Sequence, residues 1–372
     1  MSFWTLALRS LTRRPLRAAL AVSGVALAVA TFLSLLGLAN GNVRAWERSL
    51  SGQGTDILVS RKGSIELIST TIAQSLGARL ARLPGVRDVS GELIALLSLE
   101  SGHSVVVSGR EPDRYQWAEL SLMEGTLPAT DGPPGIAIGR GIAEALGLHV
   151  GDQLELEGKT LLVSGIVRPS GTLTSYMLFM PIARMQELFD RPGVVTVFCL
   201  RLAAGRPEAV AAFIKAHAAE FPELTLGEAR TFGKDSPFFE TIGALAWAIS
   251  SVALLAGLVG VLNTLLMSVT ERIRELGILS ALGWQPARVV ALIVLEGLLL
   301  STAGSVVGVS AGYAALRVLA AQPRIAGLLD PEITFGLGVE AILATIILGG
   351  LGSFYPAWRA VRLRPVEALK HE

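Results

Sequence analysis

Apolar positions along this chain fall into four long blocks, at 18–39, 242–269, 289–319 and 335–358. Each exceeds the roughly 20 helical residues needed to cross a hydrocarbon core about 30 Å thick. Within these blocks charge is confined to Glu296, Arg317 and Glu340. We assign transmembrane helices to 18–40, 238–269, 287–319 and 335–358. Between the first two, residues 41–237 alternate short period-2 runs with short period-3.6 runs, the pattern of an α+β domain. Strands are expected at 56–60, 86–99, 104–108, 160–167, 176–180 and 194–202, and a helix at 71–83. A hairpin is expected around Gly158-Lys159. The outer pieces, 50–108 and 190–228, are expected to form one layer, with 109–185 as a strand-rich insertion. The fold class is therefore a membrane α-helical protein with an extracytoplasmic α+β domain between its first and second spans.

Residues 270–286, between the second and third spans, are of another kind. Glu271, Arg272, Arg274 and Glu275 are too polar for a bilayer core, whereas Ile273, Leu276 and Leu279 are too apolar for a free loop. Such a helix fits a membrane surface or a partner's groove. Residues 1–17 carry a similar pattern, with Trp4, Leu8 and Leu11 on one face, and are read as an interfacial helix with a bend at Pro15. The apolar run after it is longer than a signal-peptide core, so a retained span is expected.

Composition adds topology. Only 17% of the 372 residues are charged, against about 25% in soluble domains. Arg9, Arg13, Arg14 and Arg17 precede the first span; Arg272, Arg274 and Arg288 lie between the second and third; Arg359, Arg362, Arg364 and Lys370 follow the fourth. The positive-inside rule places both termini, the 270–286 segment and the 359–372 tail in the cytoplasm. Residues 41–237 and the short loop 320–334 then lie outside. A net charge of +1 gives no reason to expect a nucleic-acid partner.

Several chemistries are not expected. There is no Gly-x4-Gly-Lys-Ser/Thr loop, and no Gly-x-Gly-x-x-Gly between a strand and a helix. The chain thus offers no phosphate cradle. The four histidines are scattered, and no strand-to-helix nucleophile elbow is evident. No metal site, cofactor or catalytic residue is expected, and the chain is read as a non-enzyme. Cys199 alone cannot form an internal disulfide and reads as a small buried strand residue. Met177, Phe179, Met180 and Phe198 read as sheet core rather than as an acyl-chain site. In the spans, Glu296 is expected to hydrogen-bond a neighbouring helix, with Asn263 or Ser301 as partner, in preference to serving a proton relay. Gly304, Gly308 and Gly312 share one face of the third span, a spacing that lets helices approach closely.

Six segments carry a resemblance. Glu271-Arg272-Ile273-Arg274-Glu275-Leu276-Gly277-Ile278-Leu279, continuing to Ala281-Leu282-Gly283, is followed by Glu296-Gly297. Near the C-terminus come Tyr355-Pro356-Ala357-Trp358-Arg359-Ala360 and Arg364-Pro365-Val366-Glu367-Ala368-Leu369. Leu6 to Leu11 and the run Gly139-Arg140, Ala143, Leu146-Gly147, Gly151-Asp152 complete the set. Together they resemble the MacB/FtsX-type permeases, four-span membrane subunits of type VII ABC transporters.

The resemblance implies a multi-pass protein of a bacterial inner membrane. Its periplasmic domain would have a porter-like part and a small β-rich part, called the Sabre. It implies a dimer of cytoplasmic ABC ATPase subunits, which bind the ATP and Mg, and a second permease copy or paralogue. Glu271, Arg272, Ile273, Arg274, Glu275, Leu276 and Gly277 would form the coupling segment, with Ile273 and Leu276 filling a groove on the ATPase. It implies mechanotransmission: ATPase closure moves the membrane helices and so the outer domain, driving export or extraction of a lipoprotein, lipid, peptide or drug. A periplasmic adaptor, lipoprotein or outer-membrane partner fits that role. The FtsX branch offers an alternative, control of an extracytoplasmic partner such as a cell-wall hydrolase. A secondary transporter would need broken midplane helices or an inverted repeat, and neither is visible.

Overall fold

The computed structural model describes residues 12, 14–62, 70–232, 236–322 and 333–362. Residues 1–11, the segment 365–369 and most of the loop 320–334 lie outside them. Two compact units are present, one of residues 1–38, 244–318 and 331–372, the other of 39–243 and 319–330.

The first unit is helical. Its elements are α1 (Pro15–Gly52), α2 (Pro237–Glu271), α3 (Ile273–Ala281), α4 (Pro286–Ala320) and α5 (Phe335–Arg362). Four of these, all but α3, are long and apolar enough to cross a membrane. Three of them start at proline, where a missing N–H costs nothing and φ is already helical. Pro15 opens α1, and the interfacial helix expected before it lies outside the described residues. α1 is one unbroken 38-residue helix, about 57 Å at 1.5 Å per residue, and its last turns belong to the second unit.

Glycines set the packing of this bundle. A Cβ on Gly304 would strike Val25; on Gly308, the Ala26 backbone and Val29; on Gly312, Ala30 and Leu33. The backbone of α4 therefore lies directly on α1 for two turns. Gly257 brings α2 against Val25 and Ala28 of α1, Gly349 of α5 faces Ser301 of α4, and Gly352 faces Leu258 of α2. Without a hydrophobic driving force between helices in lipid, this close contact is the main source of association. Several hydroxyls fold back on their own helices, as Thr345 Oγ1 to the Ala341 carbonyl (2.6 Å) and Ser353 Oγ to the Gly349 carbonyl (2.8 Å), which satisfies them within apolar surroundings.

The second unit is built on one sheet. Its strands are β1 (Ile57–Arg61), β3 (Val86–Ser98), β4 (Ser104–Arg110), β5 (Leu122–Gly125), β6 (Gly135–Gly139), β7 (Gln153–Leu156), β8 (Lys159–Val167), β9 (Met177–Pro181), β11 (Val197–Leu202) and β12 (Leu224–Glu228). The order is β12-β1-β11-β3-β4-β9-β6-β8-β5, with β7 on β8. β9 pairs in parallel with β4, so the strands of the 109–185 segment extend the same sheet. Side chains alternate between faces. Ile57, Val59, Phe198, Leu200, Leu178 and Met180 enter one core, with the helices Leu76–Leu80, Ile182–Leu188 and Pro207–His217 on that side of the chain's plan. Leu58, Val197, Cys199, Met177 and Phe179 enter the other, which is closed by Trp46 and Leu50 of α1, Phe232, and Phe238 and Phe239 of α2. Met177, Phe179, Met180 and Phe198 are all at most 3% exposed, as core residues should be.

Three local expectations change. The helix expected at 71–83 is shorter, Leu76–Leu80, because Ile72 and Ala73 form β2 instead and pair with β10 (Val194–Val195). The strand expected at 194–202 breaks at Thr196, whose hydroxyl accepts the Ile94 N–H at 2.7 Å. The hairpin turns at Glu157-Gly158 (φ 50° and 72°), one residue earlier than read. Positive φ at both central positions gives the type I′ twist that two-residue hairpins need.

The α1–α4 contact generates a test. Gly308→Leu should lower the melting temperature of the solubilised chain, with a cost of about 1–3 kcal/mol or more from overpacking. Gly338→Leu, at a position with nothing within 4 Å of an added Cβ, should leave it unchanged. Equal melting of the two variants would contradict the contact.

Candidate coupling site

The expected coupling residues surround one break in the helical path. α2 ends at Glu271 and α3 begins at Ile273, so Arg272 is the joint. The Arg272 N–H still bonds the Val269 carbonyl (3.2 Å), and the Leu276 N–H bonds the Arg272 carbonyl (2.9 Å). α3 therefore leaves α2 through a tight turn. It ends before Gly283, whose φ of +89° suits glycine alone, and Pro286 opens α4.

The inner face of α3 packs on its own bundle. Leu276 is buried in a cluster with Val269, Val289, Ile293, Ala357 and Ala360. Gly277 is buried and Ile273 half-buried. The expectation that Leu276 fills a partner's groove is therefore corrected: α2, α4 and α5 side chains cover it, whereas Ile273 stays partly accessible. The outer face carries Arg274 and Glu275, with Ile278 45% and Leu282 75% exposed.

The charges divide the same way. Glu271 pairs with Arg14 and with Arg17, the latter at 2.5 Å. Arg272 Nη1 donates to Glu296 Oε1 at 2.9 Å, and its Nε lies 3.3 Å from Glu275 Oε2. Glu296 is only 3% exposed, so an unpaired carboxylate there would cost several kcal/mol. Its partner is thus Arg272, not Asn263 or Ser301. Asn263 is exposed on α2, and Ser301 lies against Gly349. Arg14 and Arg17, which the sequence marks only as topology charges, and Ile278 and Leu282 of the 271–283 segment also enter this site. Among the described residues no cluster of His, Cys, Asp or Glu could hold a metal ion. The string Gly308-Val309-Ser310-Ala311-Gly312 does spell Gly-x-Ser-x-Gly. It lies inside α4, where Ser310 Oγ bonds the Val306 carbonyl, so it is not an elbow.

Matches to known families follow this division of the chain. Residues 18–217 match the family described as MacB-like periplasmic core domain, and residues 247–365 that described as FtsX-like permease C-terminal. The chain belongs to the MacB/FtsX-type permease family. This permease is similar to the macrolide export ATP-binding/permease protein MacB of Nitrobacter winogradskyi, 26% identical over 395 residues that cover 98% of this chain and 59% of that protein. It thus spans about three-fifths of the length of such MacB relatives. It is also similar to the uncharacterized ABC transporter permease YknZ of Bacillus subtilis, 32% identical over 125 residues, 34% of this chain and 30% of that one. Among solved structures, the periplasmic region of MacB from Actinobacillus actinomycetemcomitans aligns with a TM-score of 0.38 at 13% identity. That alignment covers 50% of this permease and 94% of the solved chain.

The outer unit of the permease contains a second polar constellation, one the sequence reading missed. Glu92 and Arg110 are both nearly fully buried and paired at 3.0 Å. Ser108 Oγ also donates to Glu92 (2.5 Å), and Arg110 donates to the Gln116 carbonyl (3.3 Å). Close by, Arg201 stacks on Tyr115 at 4.2 Å, pairs with Glu119, and donates to the Gly54 carbonyl at 3.0 Å. That carbonyl follows closely on the last residue of α1, where a cation suits the negative end of the helix dipole. Cys199 lies in the same core. Burial pushes its thiol up, and the Glu92 charge adds to that; burial likewise raises the Tyr115 hydroxyl.

The raised thiol fixes the sign of a pH effect. An unfolded thiol ionises near pH 8.5 while the folded one keeps its proton. The stabilisation is full below about pH 8.5 and falls above it, at up to about 1.4 kcal/mol per pH unit. Melting temperature should therefore drop between about pH 8 and 9.5, and less steeply in Cys199→Ala. Maleimide should label Cys199 only after unfolding. Rapid labelling of the folded permease would contradict its burial.

Proposed function

We propose that this chain is the membrane subunit of an ABC transporter that takes work from a cytoplasmic ATPase through α3 and delivers it to its outer domain. The observation that carries the proposal is the two-faced α3. Its inner face is fixed on the bundle by Leu276 and the Arg272–Glu296 pair, while its outer face offers Arg274, Ile278 and Leu282. An exposed amphipathic face at a bundle end, rimmed by charge, suits a protein groove. The arginine distribution supports a cytoplasmic position for α3 and an extracytoplasmic one for the sheet unit. The nucleotide and its Mg are assigned to a cytoplasmic ABC ATPase dimer, in line with the ATP-binding part of the name that the MacB relatives carry. A second permease copy or paralogue would complete the assembly.

The mechanical part rests on α1. It is a single helix from Pro15 to Gly52, and Trp46 and Leu50 are built into the core of the outer unit. A displacement at its start can pass along a continuous hydrogen-bonded rod. The sheet unit would act on a lipoprotein, lipid, peptide or drug outside the membrane, together with an adaptor, lipoprotein or outer-membrane partner. With the 177–180 and 198 side chains consumed by the core, such a ligand would be held elsewhere on that unit.

Co-purification in detergent or nanodiscs tests the proposal. The native chain should bring down an ABC ATPase. Ile278→Asp combined with Leu282→Asp should weaken that capture about tenfold or more, the effect of losing apolar anchors at an interface centre, while the melting temperature is kept. Capture unaffected by the double variant would move the docking face elsewhere, and no ATPase with the native chain would contradict the proposal.

A further inference from the structure

The joint between α2 and α3 holds two adjacent residues of opposite charge that reach in different directions. Glu271 pairs with Arg14 and Arg17 at the start of α1. Arg272 reaches Glu296, two to three turns into α4. Arg272 is also the one residue between the two helices, so a swing of α3 about the joint must pivot there. We propose that these pairs form an electrostatic clasp that makes α3 a rigid extension of α1 and α4, with Arg272 and Glu296 as its positioning residues. This rests on the reading that α3 receives the ATPase stroke, and goes beyond it by naming how the stroke leaves α3.

The two sides of the clasp differ in what it costs to open them. Glu296 is sealed from solvent. Pulling Arg272 away would break an ion pair whose carboxylate is buried in the bundle, and breaking a buried pair from one side is far more costly than shifting it intact. The pairs of Glu271 are more exposed and yield more easily. Leu276 fixes the same face by packing. A force on Arg274, Ile278 or Leu282 therefore moves α4 with α3 before it bends the joint. α4 in turn lies on α1 at Gly304, Gly308 and Gly312, where it presents no side chain and seats directly on Val25, Ala26, Val29, Ala30 and Leu33. The helix that runs on into the outer unit is thus gripped twice, by Glu271 at its start and by α4 along its length.

Two arms test the clasp, both on the full chain in nanodiscs. In the first, a nitroxide is placed on Leu282→Cys; the native Cys199 is fully buried and does not compete for the label. No ATPase is present. Glu296→Gln and Arg272→Gln should each raise label mobility about twofold, a nanosecond-scale loosening. Arg272→Lys should keep part of the restraint, and the exchange Arg272→Glu with Glu296→Arg should restore it. Unchanged mobility in Glu296→Gln overturns the clasp, as does loosening that neither charge-keeping variant reverses.

In the second arm, the ATPase is added and amide exchange of residues 43–52 is followed with and without ATP. The native chain should respond. Glu296→Gln should keep the ATPase bound, because the outer face of α3 is untouched, yet lose the response. Retention of the response in that variant overturns the proposal. If the native chain itself neither binds an ATPase nor responds, the reading of α3 as the docking helix fails, and the mobility arm still decides whether the clasp exists.

Discussion

The bundle depends on the absence of side chains at Gly304, Gly308 and Gly312. Any Cβ there would meet Val25, the Ala26 backbone or Ala30, so α4 can approach α1 only as glycine. That approach fixes the relative height of the two helices, which decides what faces what at the α3 end. Glu296 is brought within reach of Arg272, and Arg17 within reach of Glu271. Close backbone contact also supplies the dispersion energy that lipid-embedded helices cannot draw from hydrophobicity. Packing and electrostatics are therefore one arrangement in this unit, set by three residues with no side chain.

The outer unit relies on a different device. Its sheet is apolar on both faces, and the two cores are closed by different segments of chain. The face that receives α1 and α2 also contains the buried Glu92–Arg110 pair. Removing one partner of such a pair costs more than the pair itself contributes. Arg201 holds the Gly54 carbonyl and the Tyr115 ring together, joining the end of α1 to β11.

Much of this is legible in the sequence, for physical reasons that also mark the limits. Long runs without charge leave few options besides membrane helices, and the alternation of Val197 to Leu202 reads directly as a strand. The glycine spacing shows a face but not its neighbour, since nothing in the third span names α1 as the partner. Glu296 is visible as an anomaly, yet its partner lies across a helix break that periodicity cannot place. Ile273 and Leu276 read as a docking edge because sequence gives the polarity of a face, not which of two proteins covers it. Glu92 is hidden in an apolar strand, and only its mismatch with the period-2 pattern signals a buried partner. At 71–83 the pairing of Ile72 and Ala73 with β10 overrides local helical spacing, as tertiary contacts do for short segments.

The account turns on which face of α3 meets the ATPase, and photo-crosslinking in cells reads this directly. A photoreactive residue is placed in turn at Ile278 and at Leu276 of the full chain, and adducts are identified by mass. Adducts with an ABC ATPase at position 278, and only intramolecular ones at 276, are the expected result. ATPase adducts at 276, or none at either position in a folded and expressed protein, would contradict the claim that α3 is clasped inward and docks outward.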